Sequence, residues 1–84
     1  MSDQSLRFTK HAELMLAERH IRRDWINRAI SVPDAIERDP NRENVFRAFR
    51  SIPERNGRIL RVVYSQDGDD LRVITAFFDR ARRS

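Results

Sequence analysis

Chemistry in this chain has to come from histidine, arginine and hydroxyl side chains. Cysteine is absent, and the histidines are His11 and His20. An unperturbed imidazole changes charge near neutral pH, so His11 is the natural candidate to take or give a proton. It falls in the first turn of an expected helix, where free amides favour a nearby anion. The same place suits a residue that merely packs or hydrogen-bonds locally. Sixteen arginines stand against one lysine, Lys10. The planar arginine fork grips phosphate or carboxylate through paired hydrogen bonds, which lysine cannot do. GC-rich coding would give the same bias without any function. Arg61, central in an apolar hairpin, is best placed to hold a phosphate. Arg47, Arg50, Arg58 and Arg72 extend the patch around it as candidate nucleic-acid ligands. A solvated sheet face rich in arginine is the competing reading.

Two histidines and no cysteine exclude a closed zinc site. Asp67, Asp69 and Asp70 cluster at one turn, but three acids and a glycine do not make a calcium loop. The expectation is therefore no metal and no cofactor.

The elements that must position these side chains follow from spacing. Thr9 suits a helix N-cap, because its hydroxyl can accept from the free amides of the first turn. A helix is predicted from Lys10 to Arg19, with Ala12, Met15 and Leu16 on one apolar stripe. His20 stands where that helix ends. A second helix begins near Arg23-Asp24, buries Trp25, Ile26, Ala29 and Ile30, and stops before Pro33. The short link predicts an antiparallel helix pair. In this arrangement Arg19 is expected to pair with an acid such as Asp34 or Glu37, and His20 to lie on the surface. Ala35 to Arg38 reads as a short edge strand. Val45 to Ile52 reads as a strand with Phe46, Ala48 and Ile52 on one face and Arg47 and Phe49 on the other. Phe49 and Phe78 are candidates for exposure on an open face, where they could stack on bases.

Arg58 to Phe78 forms the main hairpin. Its Asp67-Gly68 dipeptide tolerates the positive φ of a tight turn. A two-residue turn there would pair Val62 with Val73, Leu60 with Thr75 and Arg61 with Ile74. Leu60, Val62, Val73 and Thr75 would then face the helices, and Arg61 and Arg72 the opposite side.

The 84 residues fit one domain spanning 1–84, with residues 1–7 and 80–84 expected to be flexible. Segregated helices and strands predict an α+β fold, a two-helix hairpin on one face of a three- or four-stranded antiparallel sheet. Net charge is +4. Residues 1–40 hold seven basic and seven acidic side chains, while residues 41–84 hold ten and six. The excess sits in the sheet half, which suits RNA, DNA or an acidic protein. No run approaches the roughly 18 apolar residues of a membrane span, and the N-terminus lacks a signal pattern. The expected location is cytoplasmic.

Lys10-His-Ala-Glu-Leu-Met-Leu-Ala-Glu-Arg-His-Ile21 resembles the opening of the family called domain of unknown function 4258. His11, Ala12, Met15, Arg19 and Ile21 match its pattern. Trp25 to Asp34 is similar to its second helix, and Arg61-Val-Val-Tyr64 with Val73-Ile-Thr-Ala-Phe77 is similar to its C-terminal strands. His20 stands where that family usually has glycine, and Leu14 where it often has arginine. The resemblance implies kinship with the RelE, ParE and BrnT toxins of toxin–antitoxin modules. It further implies a curved sheet, possible metal-independent RNA cleavage and an antitoxin partner. Thr75 matches a family position and could orient a phosphate oxygen or a catalytic partner as a third site residue with His11 and Arg61, although the expected register puts it on the helix side, away from Arg61. A β-branched strand residue is the plainer reading of Thr75. A non-catalytic protein- or nucleic-acid-binding module of the same fold remains the alternative function.

Overall fold

The computed structural model describes residues 5–81. Two helices are followed by the bulk of a five-stranded mixed sheet of order β1-β5-β4-β3-β2. The elements are β1 (Ser5–Phe8), α1 (Lys10–Arg19), α2 (Arg23–Ser31), β2 (Ala35–Arg38), β3 (Val45–Ile52), β4 (Arg58–Asp67) and β5 (Asp70–Asp79). A single 3₁₀ turn, Pro53–Arg55, joins β3 to β4.

Both helices start and stop where local chemistry directs. The Thr9 hydroxyl accepts from the Ala12 amide at 3.0 Å, which satisfies one of the unpaired donors of the first turn. His20 closes α1 in the left-handed conformation, φ 54°. Ile21 then tucks into the core, its amide donating to the Leu16 carbonyl at 2.9 Å. The two helices are tied to each other by Arg23 of α2, which pairs with Glu13 of α1 at 3.2 Å. α1 rests on β5 and β1, and α2 on β3 and β4, so each finds its apolar partner in the sheet.

The sheet departs from expectation in strand number and direction. Five strands are present among the described residues rather than three or four, and β1 runs parallel to β5, pairing Ser5–Phe8 with Asp70–Val73. Residues 5–7, expected to be flexible, belong to that strand, whereas residues 1–4 and 82–84 lie outside the described residues. Leu6 and Phe8 pack against the core, and this non-local burial holds a strand too short to announce itself by local pattern.

The register of the main hairpin also differs. The turn closes one residue later, with Asp67 opposite Asp70, and Gly68 takes φ 62°. A β-bulge at Ile74 then interrupts the β4–β5 ladder, between the pairs Tyr64–Val73 and Val63–Thr75. Leu60 therefore faces Phe78 rather than Thr75, and Arg61 faces Phe77 rather than Ile74. One extra residue shifts every later side chain to the other face. Thr75 thus shares the side of Arg61, where the expected register had placed it under the helices. Thr9 pins the bulge, since its amide donates to the Val73 carbonyl and its hydroxyl to the Ile74 carbonyl, both at 3.1 Å.

The principal core lies between helices and sheet. Ala12, Leu16, Trp25, Ile26 and Ala29 meet Ala48, Ile52, Leu60, Val62, Val73 and Ala76. The opposite face is not an open aromatic platform. Phe49, expected to be exposed there, is only 2% accessible, and Val45, Ile59 and Val63 are buried beside it. Arg61 lies over the Phe49 ring at 5.6 Å. A long side chain of this kind can cover apolar surface with its methylenes while its head stays polar.

Candidate nucleic-acid interface

The five arginines singled out by sequence fall into three environments. Arg61 sits between Phe49 and Phe77, its guanidinium carbon 5.6 and 5.3 Å from the two ring centres. Its Nη1 donates to the Asp79 carboxylate at 3.4 Å. Arg47, on the same face, is 3.8 Å from Glu37 and 3.9 Å from Asp39. Arg50 points to the helix side, where it donates to the Val32 carbonyl at 3.1 Å and lies 3.4 Å from Asp34. These three cations are already paired with acids. Arg58 and Arg72 are exposed and have no acidic partner among the described residues.

The bulge brings Thr75 to the face of Arg61, since Val63–Thr75 and Arg61–Phe77 are neighbouring steps of one ladder. His11 is not joined to them. It is exposed on α1, in the helix layer, and makes no hydrogen bond or ion pair among the described residues. Its stripe on the helix, His11-Met15-Arg19 at i, i+4 and i+8, runs along β5. Arg19 marks that course, donating to the Ala76 carbonyl at 3.1 Å and lying 5.8 Å from the Phe77 ring. Arg19 was expected to pair with Asp34 or Glu37. The long side chain reaches instead the exposed carbonyl edge of β5 beyond the end of β1.

A cavity of about 460 Å³ opens at this edge, lined by Glu18, Arg19, His20, Arg55, Arg58, Phe77, Phe78 and Arg80. Consecutive strand residues point to opposite faces, so a cleft touching both Phe77 and Phe78 wraps around the end of β5. Each wall has a local cause. The left-handed turn at His20 ends α1 and leaves Glu18, Arg19 and His20 at the rim. The 3₁₀ turn carries Arg55, which donates to the His20 carbonyl at 3.5 Å and so ties the turn to the helix end. Arg55 and Arg58 lie over the Phe78 ring, each with its guanidinium carbon 4.9 Å from the centre. Trp25 meets Phe78 edge-on with centres 6.2 Å apart, which holds that ring from below.

The 3₁₀ turn is itself fastened. Arg28 of α2 grips Glu54 with two hydrogen bonds, at 2.9 and 3.0 Å. The bidentate Arg28 partner holds the Glu54 carboxyl far below its usual range, at about 2. Glu54 thereby fixes the neighbour that presents Arg55 to the cleft.

Four arginines and two phenylalanines against a single acid give the cleft an excess of positive charge beside two ring faces. Guanidinium groups supply paired donors to phosphate, and the rings supply stacking surfaces. Of the cleft residues, Arg58 and Phe78 were legible in the sequence as candidate ligands. Arg55, Arg80, Glu18 and Phe77 were not singled out, and His20, expected on the surface, is exposed there at the cleft rim. The available signal was the hairpin itself, because the start of β4 and the end of β5 must lie side by side.

The architecture is that of a small α+β domain with two helices on a mixed five-stranded sheet and a basic cleft at one end of it. The chain belongs to the family described as Domain of unknown function (DUF4258), whose model matches residues 8–78. No curated protein and no solved structure matches it. No helix among the described residues is long and apolar enough to cross a membrane.

Proposed function

We propose that this protein is a toxin-type, metal-independent ribonuclease that engages single-stranded RNA in the arginine cleft and is silenced by an antitoxin covering it. The observation that carries the reading is the convergence of Arg19, Arg55, Arg58 and Arg80 on Phe77 and Phe78 around one cavity. Phosphate and base are the two parts of a nucleotide, and these two residue types recognise them. The kinship with RelE, ParE and BrnT toxins implied by the sequence motifs supports cleavage rather than binding alone. Expression of the intact chain should arrest growth, and the purified protein should cut RNA in the presence of a chelator. Arg55→Ala/Arg58→Ala should abolish both. Harmless overexpression together with intact RNA overturns the reading.

A second reading, a non-catalytic protein-binding module, is favoured by a different surface. β2 is a terminal strand of the sheet, and Ile36 within it and Val32 shortly before it are 51% and 59% accessible. A partner could add a strand there and cover both side chains. Loss of partner binding on Ile36→Glu, with RNA left intact by the wild-type protein, would select this reading.

A further inference from the structure

The cleft holds two groups able to move protons as well as its cations. Glu18 and His20 both line it, and neither side chain has a hydrogen bond or ion pair among the described residues. An acid and an imidazole in one cleft are a different provision from what phosphate binding requires, since a carboxylate in an anion site opposes binding.

A second observation concerns the backbone. His20 adopts φ 54°, ψ 45°, the left-handed conformation that glycine takes without steric cost. Helices commonly end with glycine at such a position. A bulky side chain held there is strained, and strain of this kind gathers at functional sites. The strained residue is also one whose carbonyl anchors Arg55 and whose position lines the cleft.

From these two observations we infer that Glu18 and His20 are the general base and general acid of RNA cleavage in the arginine cleft. The inference rests on the ribonuclease reading above. The Glu18 carboxylate takes the proton of a ribose 2′-hydroxyl. The freed oxygen attacks the adjacent phosphorus, forming the O2′–P bond. As the P–O5′ bond breaks, its electron pair goes to O5′, which receives a proton from the His20 imidazolium. The products are a 2′,3′-cyclic phosphate and a free 5′-hydroxyl. Atoms and protons balance without water or an oxidant. Arg19, Arg55, Arg58 and Arg80 stabilise the extra negative charge of the five-coordinate phosphorus. Phe77 and Phe78 hold a flanking base.

The test uses the full-length protein and short fluorescent single-stranded RNA. His20→Gly and His20→Asn both suit the left-handed backbone, so loss of folding does not confound them. Both variants should bind RNA within about twofold of wild type by anisotropy and Glu18→Gln at least as tightly as wild type, and all three should cut it on the order of a hundredfold more slowly. A substrate with a bridging 5′-sulfur, whose leaving group needs no protonation, should restore cleavage by His20→Gly but not by Glu18→Gln. A merely structural role for His20 would not give that split. Unchanged cleavage in either variant, or no selective rescue, overturns the assignment while the ribonuclease reading stands. Abolition of cleavage by His11→Ala with full activity in His20→Gly does the same. Wild-type protein that binds RNA and leaves it intact overturns both.

Discussion

Arg61 Nη1 lies 3.4 Å from the carboxylate of Asp79, and this pairing sets an acid against the central cation of the hairpin. The two side chains are 27% and 13% accessible, so neither is freely solvated. Arg61 is packed between two rings and neutralised in place, whereas Arg58, three residues earlier, is exposed and lies over a ring at the cleft.

A contrast in RNA binding follows. Arg58→Ala should weaken single-stranded RNA binding more than Arg61→Ala at moderate salt. Each phosphate contact adds about 0.7 to the slope of log affinity against log salt for a single strand. The Arg55→Ala/Arg58→Ala double variant should therefore flatten that slope by about 1.4, and anisotropy titrations at several salt concentrations measure it.

Asp79→Asn should act in the opposite sense on binding. With its acid removed, Arg61 becomes an uncompensated cation at the back of the Phe77 ring, so the salt slope should steepen by up to about 0.7. The protein should also lose about 1–2 kcal/mol of stability, between the limits for exposed and buried pairs. An unchanged slope with unchanged stability would show that the pairing is unimportant in solution.

The Arg28–Glu54 clamp predicts a pH dependence with a definite sign. Glu54 is held at about 2, against an ordinary 4.5 in the unfolded chain. The unfolded state therefore takes up the proton first as pH falls. The stabilisation is complete above about 4.5 and is lost as pH falls through about 2. Glu54→Gln should remove this component, so the denaturation midpoints of variant and wild type should converge between pH 6 and pH 3. Parallel curves across that interval would contradict the clamp.

Thr9 holds two structures at once, the start of α1 and the bulge of β5. Thr9→Ala should cost about 1 kcal/mol for the lost cap alone, and more because the Ile74 carbonyl loses its donor. Thr9→Ser keeps the hydroxyl and should recover most of the loss in urea denaturation.

His20→Gly should stabilise the fold by about 1 kcal/mol, because glycine carries no side-chain penalty in the left-handed region. A thermal melt shifted upward, alongside slower RNA cleavage, would mark His20 as a residue kept for function at the expense of stability.

Local chemistry made much of this molecule readable in advance. The bounds of α1, its Thr9 cap, the burial of Trp25, Ile26 and Ala29, the short strand Ala35–Arg38 and the opposed faces of Val45–Ile52 all follow from neighbouring residues. Apolar periodicity and capping act within a turn or two, so a single sequence carries them. β1 escaped because its four residues gain stability only by pairing with β5, some sixty-five residues away. The bulge escaped because no residue near Ile74 demands it; the Val73 and Ile74 carbonyls are met by Thr9 across the whole chain.

From α1 onward the sequence by itself therefore determined the kind of elements and their order, as well as the family, since these rest on local preference and short motifs. The tertiary structure alone decided which arginines are free. Arg47, Arg50 and Arg61 are matched to acids that arrive from other strands and loops, while the ends of α1, β4 and β5 leave Arg58 with Arg19, Arg55 and Arg80 around two rings. Charge is a property of the residue, but its availability depends on what long-range packing sets beside it.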